Sequence, residues 1–325
     1  MPASPVRTVV ADVGGTNTRA ALALDGVVQP ETISKFRNQG REGLGEILGA
    51  ILSEQGVSDC AGACIAMAGP VMDGVGRLTN VGWTMTRADL AACTGAETVA
   101  ILNDLQAQGH AVDHISDDNL RQLVPGPTGA DHNAKLVVGI GTGFNAVPVF
   151  RTETGRYVPP CESGHVTFPV LSEDDMSLAR FVSTAHGFPG VEDVLSGRGL
   201  ERTYAWAGGE TTRKDSSQIM AALEQGDDPV AIRAAEAFVQ AMGRVTGDLA
   251  LTHLPFGGIY LIGGMARALT PHLARFGFDE AFRAKGRFSD FMMQFAVWGV
   301  EDDFAALTGC AQHLEGLMAA GITHG

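Results

Sequence analysis

Two glycine hairpins, about half a chain apart, constrain this sequence more than any other feature. Thr8–Leu24 reads as an apolar strand, the turn Asp12-Val-Gly-Gly-Thr16 and a second apolar strand. Leu136–Phe150 repeats the plan around Gly139-Ile-Gly-Thr-Gly143, and with Gly14 laid on Gly141 the strands coincide at an offset of 127 residues. Unrelated hairpins are common, but this pairing suggests two similar domains facing one cleft. The chain has 325 residues, comfortable for two domains of about 150 each.

The rest of the pattern alternates between strand and helix, which means α/β. Helical spacing marks Gly43–Glu54, Thr86–Cys93 (a Thr cap with Asp89 at the capping-box position), Pro229–Leu254 and Phe304–Met318. Strands are expected at Gly62–Met67, Val99–Leu102 and within Gly257–Gly264, with Met265–Phe276 helical despite Pro271. Asp131–Lys135 is the best linker candidate.

Charge and cysteines narrow the function classes. A net charge of -14 with no basic run argues against nucleic acid and against anionic membrane as partners. No stretch approaches the ~20 apolar residues of a membrane span, and the N-terminus lacks the apolar core of a secretion signal. Five cysteines without a C-x-x-C pair fit free thiols in a reducing cytoplasm. Cys60 and Cys64 are expected on one face of a buried strand rather than at a metal.

Asp12–Thr16 is the sharpest local signal. A strand-ending Asp puts a carboxylate at the mouth of a sheet, while Gly14, Gly15 and the Thr16 hydroxyl offer donors to an anion. Two negative groups repel, so Asp12 would face phosphate through Mg²⁺ or its waters. The turn feeds a strand, not a helix, so it is neither a P-loop nor a dinucleotide fingerprint. Alone it could be a tight hairpin. However, Gly141, Thr142 and Gly143 supply a second such turn, and Gly263-Gly264 a third glycine approach after a buried strand. The three together resemble the phosphate-1, phosphate-2 and adenosine segments of the actin, sugar-kinase and Hsp70 superfamily.

Asn103-Asp104 follows a buried strand on what reads as a loop, where a general base would sit, although Asn-Asp is also ordinary turn chemistry. Glu162-Ser-Gly-His165 could be a metal pair at i, i+3. Pro159-Pro160 and the Ser-Gly argue against a helix, so binding of vicinal hydroxyls suits it better. Glu192 is unreadable without context.

In order along the chain, Asp12–Thr16, Ile101–Asp104, Gly139–Gly143, Glu162–Val166, Glu192–Gly197, Phe256–Gly264 and Lys285–Phe288 resemble the bacterial glucokinase family, over nearly the whole chain. The related repressor/kinase family's cysteine-rich zinc motif is absent. The resemblance implies the duplicated actin/hexokinase-like (ribonuclease H-like) fold, with a small domain at 1–112 plus 303–325 and a large domain at 113–302. It implies ATP-dependent phosphorylation of the 6-hydroxyl of D-glucose in glycolysis, a cytoplasmic location, and a homodimer. Asp104 would be the catalytic base. Asn103, Glu162, His165, Glu192 and, less directly, Asn80 would hold sugar hydroxyls. Ala11, Asp12, Val13, Gly14, Gly15 and Thr16 would lie along the ATP phosphates, with Gly141, Thr142 and Gly143 opposite, Gly263 and Gly264 at the adenosine, and Asp12 serving Mg²⁺, through water. A kinase for mannose or fructose, or a silent sugar sensor, are the alternatives. Two departures stand out: Ser163 where the family commonly has Gly, and Asn145 where the second phosphate turn commonly ends in Gly, a position at which Asn is expected to take the left-handed conformation.

Overall fold

Parallel strands flanked by a hairpin form the core of each half of the chain. The structure is a computed structural model, described here for residues 5–58, 60–78, 81–153, 155–209 and 213–324. It divides into two units, one comprising Met1–Ser116, Val149–Pro160 and Asp302–Gly325, the other Asp117–Pro148 and Cys161–Glu301.

The first unit opens with strands β1 (Arg7–Val13), β2 (Asn17–Leu24), β3 (Val27–Val28), β4 (Ser34–Arg37) and β5 (Gly62–Met67). A small antiparallel sheet follows, β6 (Val71–Met72), β7 (Val75–Leu78) and β8 (Trp83–Thr86), before β9 (Thr98–Asn103) completes the main sheet. Its order is β3-β2-β1-β5-β9, with β4 paired to β2; β1, β5 and β9 run parallel. Every residue of β5 is buried, because both faces of the sheet are covered. Ala63, Ile65 and Met67 enter a core with α1 (Leu44–Glu54) and α2 (Arg87–Thr94), while Cys64 and Ala66 enter a second core on the opposite face. Thr86 and Asp89 form the expected capping box. The two cysteines do not share a face: Cys60 precedes the strand, outside its pleat, and packs with the first core, Cys64 with the second.

On the second face, α3 (Asp104–Ala111) lies against the C-terminal helix Ala305–Ala319 at backbone distance. A Cβ on Gly309 would overlap the carbonyl oxygen of Ala107, so only glycine permits this approach. His110 of α3 and His313 of the C-terminal helix meet at 4.4 Å between ring centroids, their planes tilted by 46°. Burial pushes both imidazoles down from the usual 6.5, His110 to about 3 and His313 to about 4.

In the second unit β10 (Leu120–Val124), β11 (Lys135–Ile140), β12 (Phe144–Thr152), β14 (Ile259–Ile262) and β15 (Val297–Val300) form a sheet ordered β10-β15-β14-β11-β12, extended by β13 (Gly155–Tyr157). Again a hairpin strand leads to three parallel ones: β12-β11-β14-β15 repeats β2-β1-β5-β9. The duplication expected from the hairpins therefore extends to the topology of both sheets. Helices α4 (Glu173–Ser183), α5 (Val191–Val194), α6 (Gly197–Gly208), α7 (Ser216–Gln225), α8 (Pro229–His253), α9 (Gly264–Leu269) and α10 (Phe278–Arg283) complete the unit. The long α8 starts at the Asp228 cap, with Pro229 where a missing N–H costs nothing, and buries Phe238, Val239, Met242 and Val245. Past α9 the expected helix breaks: Thr270–His272 is one 3₁₀ turn, because Pro271 has no N–H for the α ladder.

Two expectations about boundaries differ from this arrangement. Asp131–Lys135 is no linker but a loop and strand start inside the second unit, tied by the Gly257 N–H to Ala134 O. The expected partition also left Val149–Pro160 with the second unit, whereas here the far end of β12 turns back as β13 and joins the first. Gln106 Nε2 donates to Val158 O at 2.9 Å, and the missing Cβ of Gly109 leaves room for the Val158 side chain.

Candidate active site

In the first unit the glycine turn closes through the Gly14 N–H to Asn17 O at 3.0 Å. Neither Gly14 nor Gly15 takes a positive φ; a Cβ on Gly14 would stand 3.2 Å from Asn17 O, so closeness rather than handedness asks for glycine. Asn38 holds the turn from beneath. This side chain is 2% exposed, and its Nδ2 donates to Gly14 O at 2.7 Å while its Oδ1 accepts from the Thr18 hydroxyl at 2.8 Å. Its N–H reaches Thr16 O at 2.9 Å. The sequence reading passed over Asn38. The only local signal is a lone Asn ahead of Gln39-Gly40.

Ala11 and Val13 point into the first core, which turns Asp12 to the opposite face. Asp12 is half-buried beside Arg19, its cross-strand partner, at 3.5 Å. Burial raises its carboxyl above the usual range, and Arg19 opposes that rise. Thr16 is exposed at the tip.

Register places a second carboxylate on the same edge. Val13 lies opposite Met67, and Met67 opposite Asn103, so β1, β5 and β9 end level. Asp12 and Asp104 are thus two strand spacings, about 10 Å, apart across the sheet, with Asp104 two residues further along, at the carboxyl ends of parallel strands, where open α/β sheets bind ligands. Asp104 is not on a loop: it is the first residue of α3, capped by Asn103. Asn103 Oδ1 accepts from the Leu105 N–H, its Nδ2 donates to Gly69 O, and Gln106 closes the box on the Asn103 N–H at 3.1 Å. The Leu105 N–H also meets Asp104 Oδ1 at 2.8 Å, which fixes the carboxyl plane. The spacing Asn-x-x-Gln is a capping-box pattern legible in the sequence, and it was missed.

In the second unit Gly141, Thr142 and Gly143 form the β11–β12 turn, with the Gly141 N–H on Gly143 O at 2.9 Å. Glu192, on α5, crosses to this turn: its Oε2 accepts from the Phe144 N–H at 2.9 Å, and a Cβ on Gly143 would lie 2.5 Å from that oxygen. Gly164 packs its bare Cα between Phe144 O and the Glu192 Cβ, so the 3₁₀ turn Ser163–His165, with Glu162 at its start, lies against the same place. Glu162 and His165 themselves are exposed, 4.0 Å apart. Asn145 is not left-handed as expected. It keeps a strand conformation, because its side chain is needed elsewhere: Oδ1 accepts from the Ser163 N–H and Nδ2 donates to Cys161 O, stitching the Glu162 loop to β12. Ser163 adds a bond from its hydroxyl to Ala146 O. Gly263, at φ 104°, and Gly264 follow β14; a Cβ on Gly263 would lie 2.5 Å from Ile140 O, at the end of β11. Asn80 lies outside the described residues.

Each unit therefore carries a glycine turn and polar side chains at the carboxyl ends of its parallel strands. A model of the family described as glucokinase matches residues 9–317. The chain belongs to the glucokinase family. Among its relatives, the glucokinase of Hahella chejuensis is 32% identical over 311 residues, covering 94% of this chain and 96% of the relative. That of Sinorhizobium fredii is 32% identical over 310 residues, covering 93% and 90%. A crystal structure of a glucokinase from an Antarctic psychrotroph superposes with a TM-score of 0.84 at 27% identity, over 95% of this chain and 98% of that one. A glucokinase of Streptomyces griseus of the ROK family, solved with glucose and AMPPNP, shares the fold at a TM-score of 0.62 and 20% identity, over 94% and 98%. The chain thus has the duplicated α/β fold of the actin/hexokinase type.

Proposed function

We propose that this chain transfers the γ-phosphoryl group of Mg-ATP to the 6-hydroxyl of D-glucose, giving glucose 6-phosphate and ADP. The observation that carries the reading is the level edge of β1, β5 and β9 in a glucokinase-family chain, with Asp12 beside a glycine turn and Asp104 two strands along. Phosphoryl transfer needs positioning and charge neutralisation, plus a base for the alcohol proton. Asp104 takes that proton as the phosphoryl group arrives, its carboxyl aimed by the Leu105 N–H. Asn103, whose amide already serves the α3 cap, has one lone pair and one N–H left for a sugar hydroxyl. Glu162, His165 and Glu192 hold further hydroxyls, Glu192 through the oxygen not engaged by Phe144.

Ala11–Thr16 and Gly141–Gly143 line the phosphates, and Gly263-Gly264 gives the adenosine a close backbone approach. No group of three or more His, Cys, Asp or Glu among the described residues could hold a metal. A single half-buried carboxylate, Asp12, fits a Mg²⁺ carried in on substrate phosphates, directly or through water. That ion would neutralise the phosphate charge. Among the described residues no helix is long and apolar enough to cross a membrane. The reaction is that of a cytoplasmic, glycolytic kinase. The units serve as the small and large domains. No observation favours another hexose or a silent sensor.

A coupled ADP-release assay across glucose, mannose, fructose and galactose tests the reading, with Asp104→Asn as its probe. The variant keeps size and one acceptor, so kcat falls at least ~10²-fold while glucose still binds. Near wild-type turnover would remove Asp104 from the role of base.

A further inference from the structure

Strand β4 carries a pair of cations that the proposed chemistry does not use. Along β4 and just beyond, Phe36 and Asn38 point inward, and Lys35, Arg37 and Gln39 point out. Register sets Arg37 opposite Asn17 and Lys35 opposite Arg19. Arg19 in turn faces Asp12. One face of the sheet corner therefore holds three cations and a single carboxylate, and that carboxylate lies 3.5 Å from Arg19. Like charges directly opposite one another across a ladder destabilise it. Lys35 and Arg37 have no ion-pair partner among the described residues to relieve this.

These side chains line a concavity of about 430 Å³ together with Thr16, Asn17 and Gln39, with no carboxylate in the lining. In a chain of net charge -14 such a patch stands out. It is also rigidly placed. Asn38, between Arg37 and Gln39, fastens the chain here to Gly14, Thr16 and Thr18, so the two cations keep a fixed relation to the glycine turn.

We propose that Lys35 and Arg37, with Thr16, Asn17 and Gln39, form a binding site for a phosphate-type anion beside the glycine turn. The chemistry has two sources: the polyphosphate of a bound nucleotide, which rests on the proposed kinase reading, or a free phosphate. Guanidinium takes phosphate through paired N–H donors and ammonium as a point charge, while Thr16, Asn17 and Gln39 offer neutral donors.

The test compares wild type with Lys35→Gln, Arg37→Gln and the double variant, by calorimetric titration of ATP, AMP and inorganic phosphate. Both side chains are exposed, so circular dichroism should show the fold kept; each single variant is read the same way should the double lose it. If the nucleotide polyphosphate fills the site, the double variant weakens ATP by about tenfold or more, leaves AMP unchanged, and phosphate competes with ATP in wild type. If the source is free phosphate, ATP affinity is unchanged, and a phosphate that binds alongside ATP in wild type is lost in the variant. Unchanged affinity for both ATP and phosphate in the double variant overturns the proposal. Failure of the kinase reading is seen separately, as wild type that releases no ADP with glucose, since phosphate titration requires no turnover.

Discussion

Replacing Asn38 by alanine should loosen the Gly14 turn without touching any proposed reacting group. The amide makes two side-chain bonds, at 2.7 Å to Gly14 O and 2.8 Å from Thr18, and is 2% exposed. Alanine leaves both partners behind. An orphaned buried polar group costs roughly 1–3 kcal/mol. Gly14 is partly exposed, so its carbonyl can recruit water and sits at the low end; Thr18 is fully buried and sits higher. The sum is roughly 2–4 kcal/mol, a large share of the ordinary 5–15 kcal/mol of a folded chain. Asn38→Asp should be no milder, because a second acceptor would then face Gly14 O. Thr18→Val spares the Gly14 bond and should cost about half as much. A two-unit chain need not unfold in one step, so the probe must belong to the first unit. Trp83 does, and urea unfolding followed at Trp83 in a background with Trp206 and Trp298 replaced by Phe isolates it. Asn38→Ala within 0.5 kcal/mol of its parent, the floor for one hydrogen bond, and with unchanged ATP affinity, would refute the idea that Asn38 secures the turn.

Three further outcomes are expected. Gly143→Ala would put a Cβ 2.5 Å from Glu192 Oε2, so the carboxylate must leave the Phe144 N–H; a raised KM for glucose is expected, and unchanged kinetics would show that Glu192 does not depend on this contact. Discrimination between glucose and galactose, which Glu162, His165 and Glu192 would read through paired hydroxyls, can reach about 10⁴ in kcat/KM; a ratio near unity would deny them that role. His110 and His313 are neutral when folded and bind protons near 6.5 when unfolded, so stability falls as pH drops below about 6.5 and goes on falling toward about 4 and 3. From pH 7 to 5 the pair accounts for roughly 3–4 kcal/mol, and urea titrations of His313→Phe should show about half that dependence; an unchanged slope would contradict the burial argument.

What the sequence revealed follows from how local each signal is. Hairpins, caps and the apolar runs of β5 and α8 are written in neighbouring residues, so the duplicated α/β plan was legible. Pro271 was legible too, but its effect was underweighted: one missing N–H ends a helix that periodicity alone would extend. The side chains that hold the site in place were not legible, because their partners are distant in sequence. Asn38 reaches back to Gly14, and Asn145 forward to Cys161 and Ser163. Glu192 gains meaning only from Phe144, across an intervening stretch of chain. Asn145 also shows why substituting one residue into a turn can mislead: its side-chain bonds, not its backbone freedom, decide its place.

The close seat of the C-terminal helix on α3 has a consequence for synthesis. Asp104 leaves the ribosome long before Ala305–Ala319 exists, and until then one face of the first sheet, with Val10, Cys64, Ala66 and Leu102, lacks its cover. Units of a chain generally fold as they emerge, earliest first. This one is barred from doing so, because the helix that seats Asp104 is packed by a segment made after the whole of the second unit. The nascent first unit must therefore wait with apolar surface bare, a natural client for chaperones, and its carboxylate edge is finished only once Ala305–Ala319 has been made.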